Sequence, residues 1–261
     1  MKKLKFTKMV ASGNDFIVMV GKPSGNLPKL AKLLCDRKFG IGADGLLLLD
    51  KCKDADLSMR IFNADGSEAE MCGNGARCAA LFSGRPKARL RTAAGLISTQ
   101  VYGTQVKIQL TDPQDIKLDI PLMVNGRPLK VNFINTGVPH VVIFVNGLEG
   151  IDLKYLGASI RNHQKFYPRG TNVNFIQEKE NNLIQIRTYE RGVEDETLAC
   201  GTGSSAAALI FALKSGINNL VRVQTQSGET LKVYFQKEAG KFKQVWLAGS
   251  ARIVYKGEYY V

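Results

Sequence analysis

Most apolar residues of this chain fall in short runs bounded by glycine and polar turns, the pattern of strands. Runs at 16–20, 46–49, 57–62, 97–102, 106–110, 141–145, 183–189, 221–225, 231–235 and 252–255 each predict a strand. In 85–91 cations alternate with other residues at period two, as on the solvated face of a strand. Helical spacing is rarer. A helix over 28–38 carries Leu27, Leu30, Ala31 and Leu34 on one stripe, with Pro28 in its first turn and Gly40 beyond its end. A second, over 204–214, is almost wholly apolar, stops before Gly216, and must be buried on every side. A third, over 74–82, has the same character and stops at Gly84.

The two apolar helices open alike. Met71-Cys72-Gly73-Asn74-Gly75 precedes one and Ala199-Cys200-Gly201-Thr202-Gly203 the other, so C-G-x-G occurs twice. Upstream of each is a strand ending in a polar turn, with Asn63 in one and Glu190 in the other. Downstream of each is a T-x-x-G turn, at 92–95 and at 225–228. The recurrence implies duplication. The expected fold is α/β of the α+β type, with two pseudo-symmetric domains, each a curved, mainly antiparallel sheet or barrel wrapped around a central apolar helix. The polar, Pro-containing turn at 112–115 sets the join. One domain is then 1–113 with a returning C-terminal strand, 250–261, and carries Cys72. The other is 114–249 and carries Cys200.

Composition narrows the function. The chain has 261 residues, 44% hydrophobic and 23% charged, ordinary globular values. No apolar stretch approaches the ~20 residues of a membrane span, and Lys5, Thr7 and Lys8 interrupt any apolar signal core. A cytoplasmic protein is expected. Its five cysteines, an odd number with no C-x-x-C pair, read as reduced thiols, and two histidines argue against a Cys/His zinc cage. The formal charge of +13 raises a polyanion partner, but the cations are scattered, so neither nucleic acid nor membrane is expected as a partner.

Chemistry gathers at the repeated motif. A helix N-terminus has unsatisfied N–H groups and about half a positive charge, so it can hold a carboxylate. A cysteine just before it has its pKa lowered. Pseudo-symmetric halves would bring Cys72 and Cys200 to one cleft from opposite sides. Inverting a carbon requires proton removal on one face and delivery on the other, and two thiols can exchange those roles. Helix ends aimed at the substrate carboxylate would stabilise the charge that develops on it. The apparatus is that of a cofactor-independent racemase or epimerase. Cys35, Cys52 and Cys78 are assigned no chemistry.

Six strings carry a resemblance: Ser12-Gly13-Asn14-Asp15-Phe16, Gly40-Ile41-Gly42-Ala43-Asp44-Gly45, Phe62-Asn63-Ala64-Asp65-Gly66-Ser67, Met71 through Cys78, Tyr189-Glu190-Arg191-Gly192 and Ala199 through Gly203. With them the chain resembles the diaminopimelate epimerases over essentially its whole length. The resemblance implies interconversion of LL- and meso-2,6-diaminopimelate for lysine and peptidoglycan synthesis, without metal, pyridoxal phosphate or nucleotide. It implies Cys72 and Cys200 as the base and acid pair. Gly73, Asn74, Gly201 and Thr202 would hold the reacting carboxylate. Asn14, Asn63, Asn172, Glu190 and Arg191 would contact substrate, while His140 and Glu190 tune the thiols. A homodimer is implied, with Tyr255 at its contact. Two positions depart from the pattern. Val138 stands where many members carry an asparagine, and Gly45 where some carry a glutamine, so distal selectivity is the open feature.

Three other readings remain at this level. One is a racemase of another amino acid of histidine, lysine or proline type on the same scaffold. Another is an anion- or nucleic-acid-binding module. The third is a thiol redox protein pairing Cys72 with Cys200.

Overall fold

The computed structural model describes residues 3–21, 23, 25–238 and 240–261. Two compact units result: the chain up to Gln109 together with Gly249–Val261, and Leu110–Ala248. The first boundary precedes the polar turn at 112–115. Leu110 is already buried in the second unit, where its N–H donates to the Val245 carbonyl at 2.9 Å.

The first unit runs β1 (Lys3–Ala11), β2 (Asn14–Val20), α1 (Leu27–Cys35), β3 (Gly45–Asp50), β4 (Leu57–Asn63), β5 (Glu68–Ala69), α2 (Gly73–Phe82), β6 (Lys87–Thr92), β7 (Gly95–Tyr102) and β8 (Gln105–Gln109). The second runs β9 (Gln114–Val124), β10 (Arg127–Asn135), β11 (Pro139–Phe144), α3 (Leu153–Arg161), β12 (Asn172–Glu178), β13 (Leu183–Glu190), β14 (Asp195–Thr197), α4 (Gly201–Ser215), β15 (Leu220–Gln224), β16 (Thr230–Glu238) and β17 (Lys241–Ser250). The last strand, β18 (Arg252–Tyr260), belongs to the first unit and pairs antiparallel with β1 from Lys3↔Tyr260 to Val10↔Arg252. In the second unit β9 pairs antiparallel with β10.

Both units repeat one plan. A hairpin, β1–β2 or β10–β11, is followed by a helix and a strand parallel to the hairpin's second member, β3 or β12. An antiparallel strand, β4 or β13, leads through a short strand to the buried helix, and the strand after that helix runs parallel to it. All other pairings described are antiparallel. The crossovers supply the length that parallel neighbours need. In the first unit α2 touches β1, β2, β3, β4, β6, β7, β8 and β18; in the second α4 touches β10, β11, β12, β13, β15 and β16. The architecture is a sheet-rich α+β fold with a helix at the centre of each unit.

The central helices differ in content. Leu209, Ile210 and Phe211 of α4 are at most 1% exposed, each stabilising by roughly 1.5–3 kcal/mol. Most of α2's buried face is alanine and cysteine, with Asn74 and a fully buried Arg77 among them. Both helices start earlier than their apolar runs suggest, at Gly73 and Gly201, because the cysteine side chain before each serves as its cap. The outer helix α1 ends at Cys35, three residues short of expectation. Asp36 leaves helical geometry at ψ 124°, and its carboxylate accepts the N–H groups of Lys38 and Phe39 at 2.7 and 2.8 Å.

The outer helices cover satellite cores. Leu34, Ala31 and Cys35 of α1 pack with Ile17, Leu46 and Phe62. Leu153 and Ile160 of α3 pack with Val141, Val173, Phe175 and Tyr189. Gly157 lets α3 approach β13 closely: a Cβ there would lie 2.6 Å from Tyr189 Cβ and Cγ. Gly157→Ala is therefore expected to lower unfolding stability by about 1–3 kcal/mol despite the better helix propensity of alanine. Denaturant titration with unchanged m-value measures this.

Candidate active site

In the first unit, β5 and a short loop deliver Cys72 in extended geometry (φ −141°, ψ 121°) to the start of α2. The Gly75 N–H donates to Cys72 Sγ at 3.5 Å, as an N-cap hydroxyl would be served. Space at Gly75 is tight, since a Cβ there would lie 3.1 Å from Leu47 Cδ2. The thiol donates to Asn14 Oδ1 at 3.9 Å, and Asn74 Nδ2 donates to the same oxygen at 3.4 Å. Asn14 Nδ2 donates to Asp44 Oδ2 at 2.6 Å, so an anion at one end orients the amide towards the sulfur. From the helix side Arg77 Nη2 donates to Asn74 Oδ1 at 2.9 Å and to Ser12 Oγ at 2.6 Å. Asn14, Asn74 and Cys72 thus form one connected cluster. Asn63 stands apart from it, at the end of β4, donating through Nδ2 to Ser67 Oγ at 2.9 Å.

A cationic brace supports the turn that carries Asn14. Lys8 Nζ lies 2.7 Å from Asp15 Oδ2, and Arg37 bridges Asp15 and Asp44 at 2.8 and 2.7 Å. Burial would raise the Asp15 carboxyl, but hydrogen bonds from Arg37 and Lys8 overcome it and hold the pKa at about 2.

In the second unit Cys200 caps α4 in the same way. The Gly203 N–H donates to its sulfur at 3.4 Å, and Thr202 Oγ1 lies 3.4 Å away. A Cβ on Gly203 would fall 2.5 Å from Asn174 Oδ1, which makes glycine obligatory at this approach. Glu190, at the end of β13, is raised by burial, against hydrogen bonds from Thr197, at 2.8 Å, and from Cys200. The Arg191 N–H donates to Asn172 Oδ1 at 2.9 Å, Arg191 Nη1 to the Arg169 carbonyl at 3.2 Å, and Asn172 Nδ2 to the Pro139 carbonyl at 3.0 Å. Burial, with Arg161 and Arg169 nearby, lowers the Arg191 pKa. His140 is fully buried; burial first and Arg191 second push its pKa to about 3, so the ring is neutral. Its Nδ1 lies 3.2 Å from Asn174 Nδ2.

Gly201, Thr202, Cys200, Glu190, His140, Asn172 and Arg191 therefore occupy neighbouring ends of β11, β12, β13 and α4. The Thr136 hydroxyl donates to the Thr202 carbonyl at 3.3 Å, tying the turn before β11 to the helix start. A concavity of about 470 Å³ borders the group at Pro139 and Arg169, with Lys117, Lys165, Phe133 and Phe166 on its other walls. Sequence reasoning misses the roles of Asp44, Arg77, Asn174 and Thr197. Arg77 had a signal, a lone charge within an otherwise apolar helix. Asn174 had one too, two residues from Asn172 and so on the same strand face. Burial pushes the thiols of Cys35 and Cys78 up to about 11 and about 12, which suits packing. Among the described residues no group of three or more His, Cys, Asp or Glu side chains is gathered as a metal cage.

The family model described as diaminopimelate epimerase matches residues 6–116 and 132–254. The chain belongs to the diaminopimelate epimerase family. It is 41% identical over 274 residues to the diaminopimelate epimerase of Aquifex aeolicus, covering 97% of each chain. To that of Methanocella arvoryzae it is 41% identical over 280 residues, covering 99% of this chain and 97% of the relative. Among solved structures it is similar to a Bacillus anthracis phenazine biosynthesis protein of the PhzF family (TM-score 0.77, 19% identity, all of both chains). It is also similar to a probable proline racemase from Agrobacterium radiobacter (TM-score 0.72, 19% identity, 99% of this chain and 92% of the other). At those identities the likeness is one of fold.

The Asp15 brace gives a pH prediction. Its folded pKa, about 2, lies below the ordinary 3.8, so its stabilisation is complete above pH 4–5 and lost as pH falls towards 2. Asp15→Asn should lower stability at pH 7 by on the order of 2 kcal/mol and converge with the parent near pH 2. Urea unfolding across that pH range checks both statements.

Proposed function

We propose that this chain is a cofactor-independent epimerase that inverts one α-carbon of LL-2,6-diaminopimelate to give the meso form, with Cys72 and Cys200 as the two acid–base groups. The observation that supports it best is that each thiol replaces the N-cap of a buried helix at the same place in a repeated fold. One sulfur takes the α-proton as thiolate and the other, as thiol, delivers a proton to the opposite face, so that the pair exchanges protonation states in each turnover. The N–H groups at Gly73-Asn74 and Gly201-Thr202 hold the α-carboxylate and stabilise the charge it gains as the proton leaves. Glu190, raised by burial and hydrogen-bonded to Cys200, is the proton acceptor that lets Cys200 reach its thiolate form.

The rest of the substrate is an amino acid end with both charges. Arg191 suits its carboxylate, Glu190 an ammonium, and the amides of Asn14, Asn63 and Asn172 offer donors and acceptors to either. Val138 can do neither through its side chain, so distal recognition falls to those residues. The protein acts in the cytoplasm, in amino acid and cell-wall precursor synthesis. It works as a homodimer through β18, where Ile253, Val254, Tyr255 and Tyr260 are 46–53% exposed along one strand.

Reduced protein incubated with LL-diaminopimelate in heavy water should give meso product with deuterium at one α-carbon. Cys72→Ser and Cys200→Ser should each lose at least about 10²–10⁴-fold in kcat. Deuterium entering lysine, histidine or proline instead would assign a different substrate. Full turnover in either serine variant would overturn the two-thiol reading. Tyr255→Asp should halve the mass seen by sedimentation equilibrium.

A further inference from the structure

Asn174 is fully buried on β12, behind the residues so far assigned to the site. Its amide has one workable orientation. Nδ2 lies 2.9 Å from the Val141 carbonyl and must donate to it; a flipped amide would set oxygen against oxygen. Oδ1 in turn accepts from the Thr188 hydroxyl at 3.0 Å. The second hydrogen of Nδ2 then faces His140 Nδ1 at 3.2 Å. A ring nitrogen that receives a hydrogen bond carries no proton, so in the neutral ring the proton is on Nε2. An imidazolium, with a proton on both nitrogens, would oppose the Asn174 amide directly.

A second observation concerns the far side of the ring. His140 Nε2 is buried and has no hydrogen-bond partner among the described residues. A buried N–H left so is costly, and a fold keeps one where the donor has a task.

We propose that Asn174 is a positioning residue that locks His140 in the Nε2–H form, so that His140 serves the site as a neutral hydrogen-bond donor to an anion and never as a proton acceptor. The inference rests on the reading of His140 as a residue that tunes the catalytic thiols. It adds the means: the ring stabilises a negative acceptor, a thiolate or the substrate carboxylate, through one fixed N–H. The role of base is left to the sulfurs and Glu190.

The chain has two histidines, which makes the test direct. Two-bond ¹H–¹⁵N correlation on protein labelled with ¹⁵N-histidine reports which nitrogen of each ring is protonated. His163→Gln assigns the two sets of signals. The expected result for His140 is protonated Nε2 and bare Nδ1. A proton on Nδ1 in the unmodified protein would overturn the proposal, and this measurement involves neither substrate nor turnover, so it is independent of which amino acid is epimerised. Asn174→Asp, with its carboxyl proton kept to meet the Val141 carbonyl, offers Nδ1 an acceptor instead of a donor. The proton should move to Nδ1 and kcat should fall about 100-fold, the loss of one oriented donor, with KM changed far less. An Asn174→Asp variant with the ring inverted and kcat unchanged would also overturn the proposal.

Discussion

A helix N-terminus needs acceptors, and here sulfur supplies them. Cys72 and Cys200 take the place of the serine or aspartate that would ordinarily cap α2 and α4, and each sulfur receives the N–H of the helix's third residue. That single substitution couples fold to chemistry. The dipole and N–H groups that need a partner for the helix to start are the same ones that favour a thiolate over a thiol. The glycines at 75 and 203 answer to packing instead: a Cβ there would stand 3.1 Å from Leu47 Cδ2 and 2.5 Å from Asn174 Oδ1.

The repeated plan carries two such caps in unlike surroundings. The parallel registers align Phe16 and Gly45 of the first unit with His140 and Asn172 of the second, and Asn63 and Glu190 each end the antiparallel strand that follows. Where the first unit has an apolar ring and a glycine, the second has an imidazole and an amide. In return the first unit has Asn14 and Arg77 where the second has Val138 and Ser205. The sulfur of Cys72 meets amides oriented by Asp44 and Arg77, and that of Cys200 a carboxyl raised by burial. The same plan thus presents two capped sulfurs with unequal polar neighbours, amides in one unit and a carboxyl in the other.

Much of this is legible in the residues alone. The β-rich runs, the two buried helices and the doubled C-G-x-G follow from apolar patterning, because burial on one or all sides is what spacing reports. What escapes is polar residues in buried positions. β12 does not read as a strand because Asn172 and Asn174 interrupt its apolar run, yet both point into hydrogen-bond networks and its first five residues are buried. The helix α3 is hidden because Gly157 argues against a helix in isolation; its packing against Tyr189 supplies the reason that local propensity cannot. β9 is obscured by its charges and Pro121, and β1 by the alternating lysines of the N-terminus. For the site, identities and spacing give the thiols and their partners, whereas the residues that orient those partners emerge only with the hydrogen bonds.

Those orienting residues share a physical logic. Each of these amides, Asn14, Asn74 and Asn174, has its direction fixed by a group with only one possible role: Asp44 can only accept, Arg77 can only donate, and the Val141 carbonyl can only accept. An asparagine in a pocket is otherwise free to present either end, and a neutral imidazole either nitrogen. Anchoring the far end removes that choice at a cost in buried polar groups, and it does so before substrate arrives. Proton transfer at a weakly acidic carbon depends on donors already aimed at the developing charge, since reorientation during the step would add to the barrier. Charged or carbonyl anchors one residue removed from the capped helix starts therefore give the amides around each of them a fixed polarity.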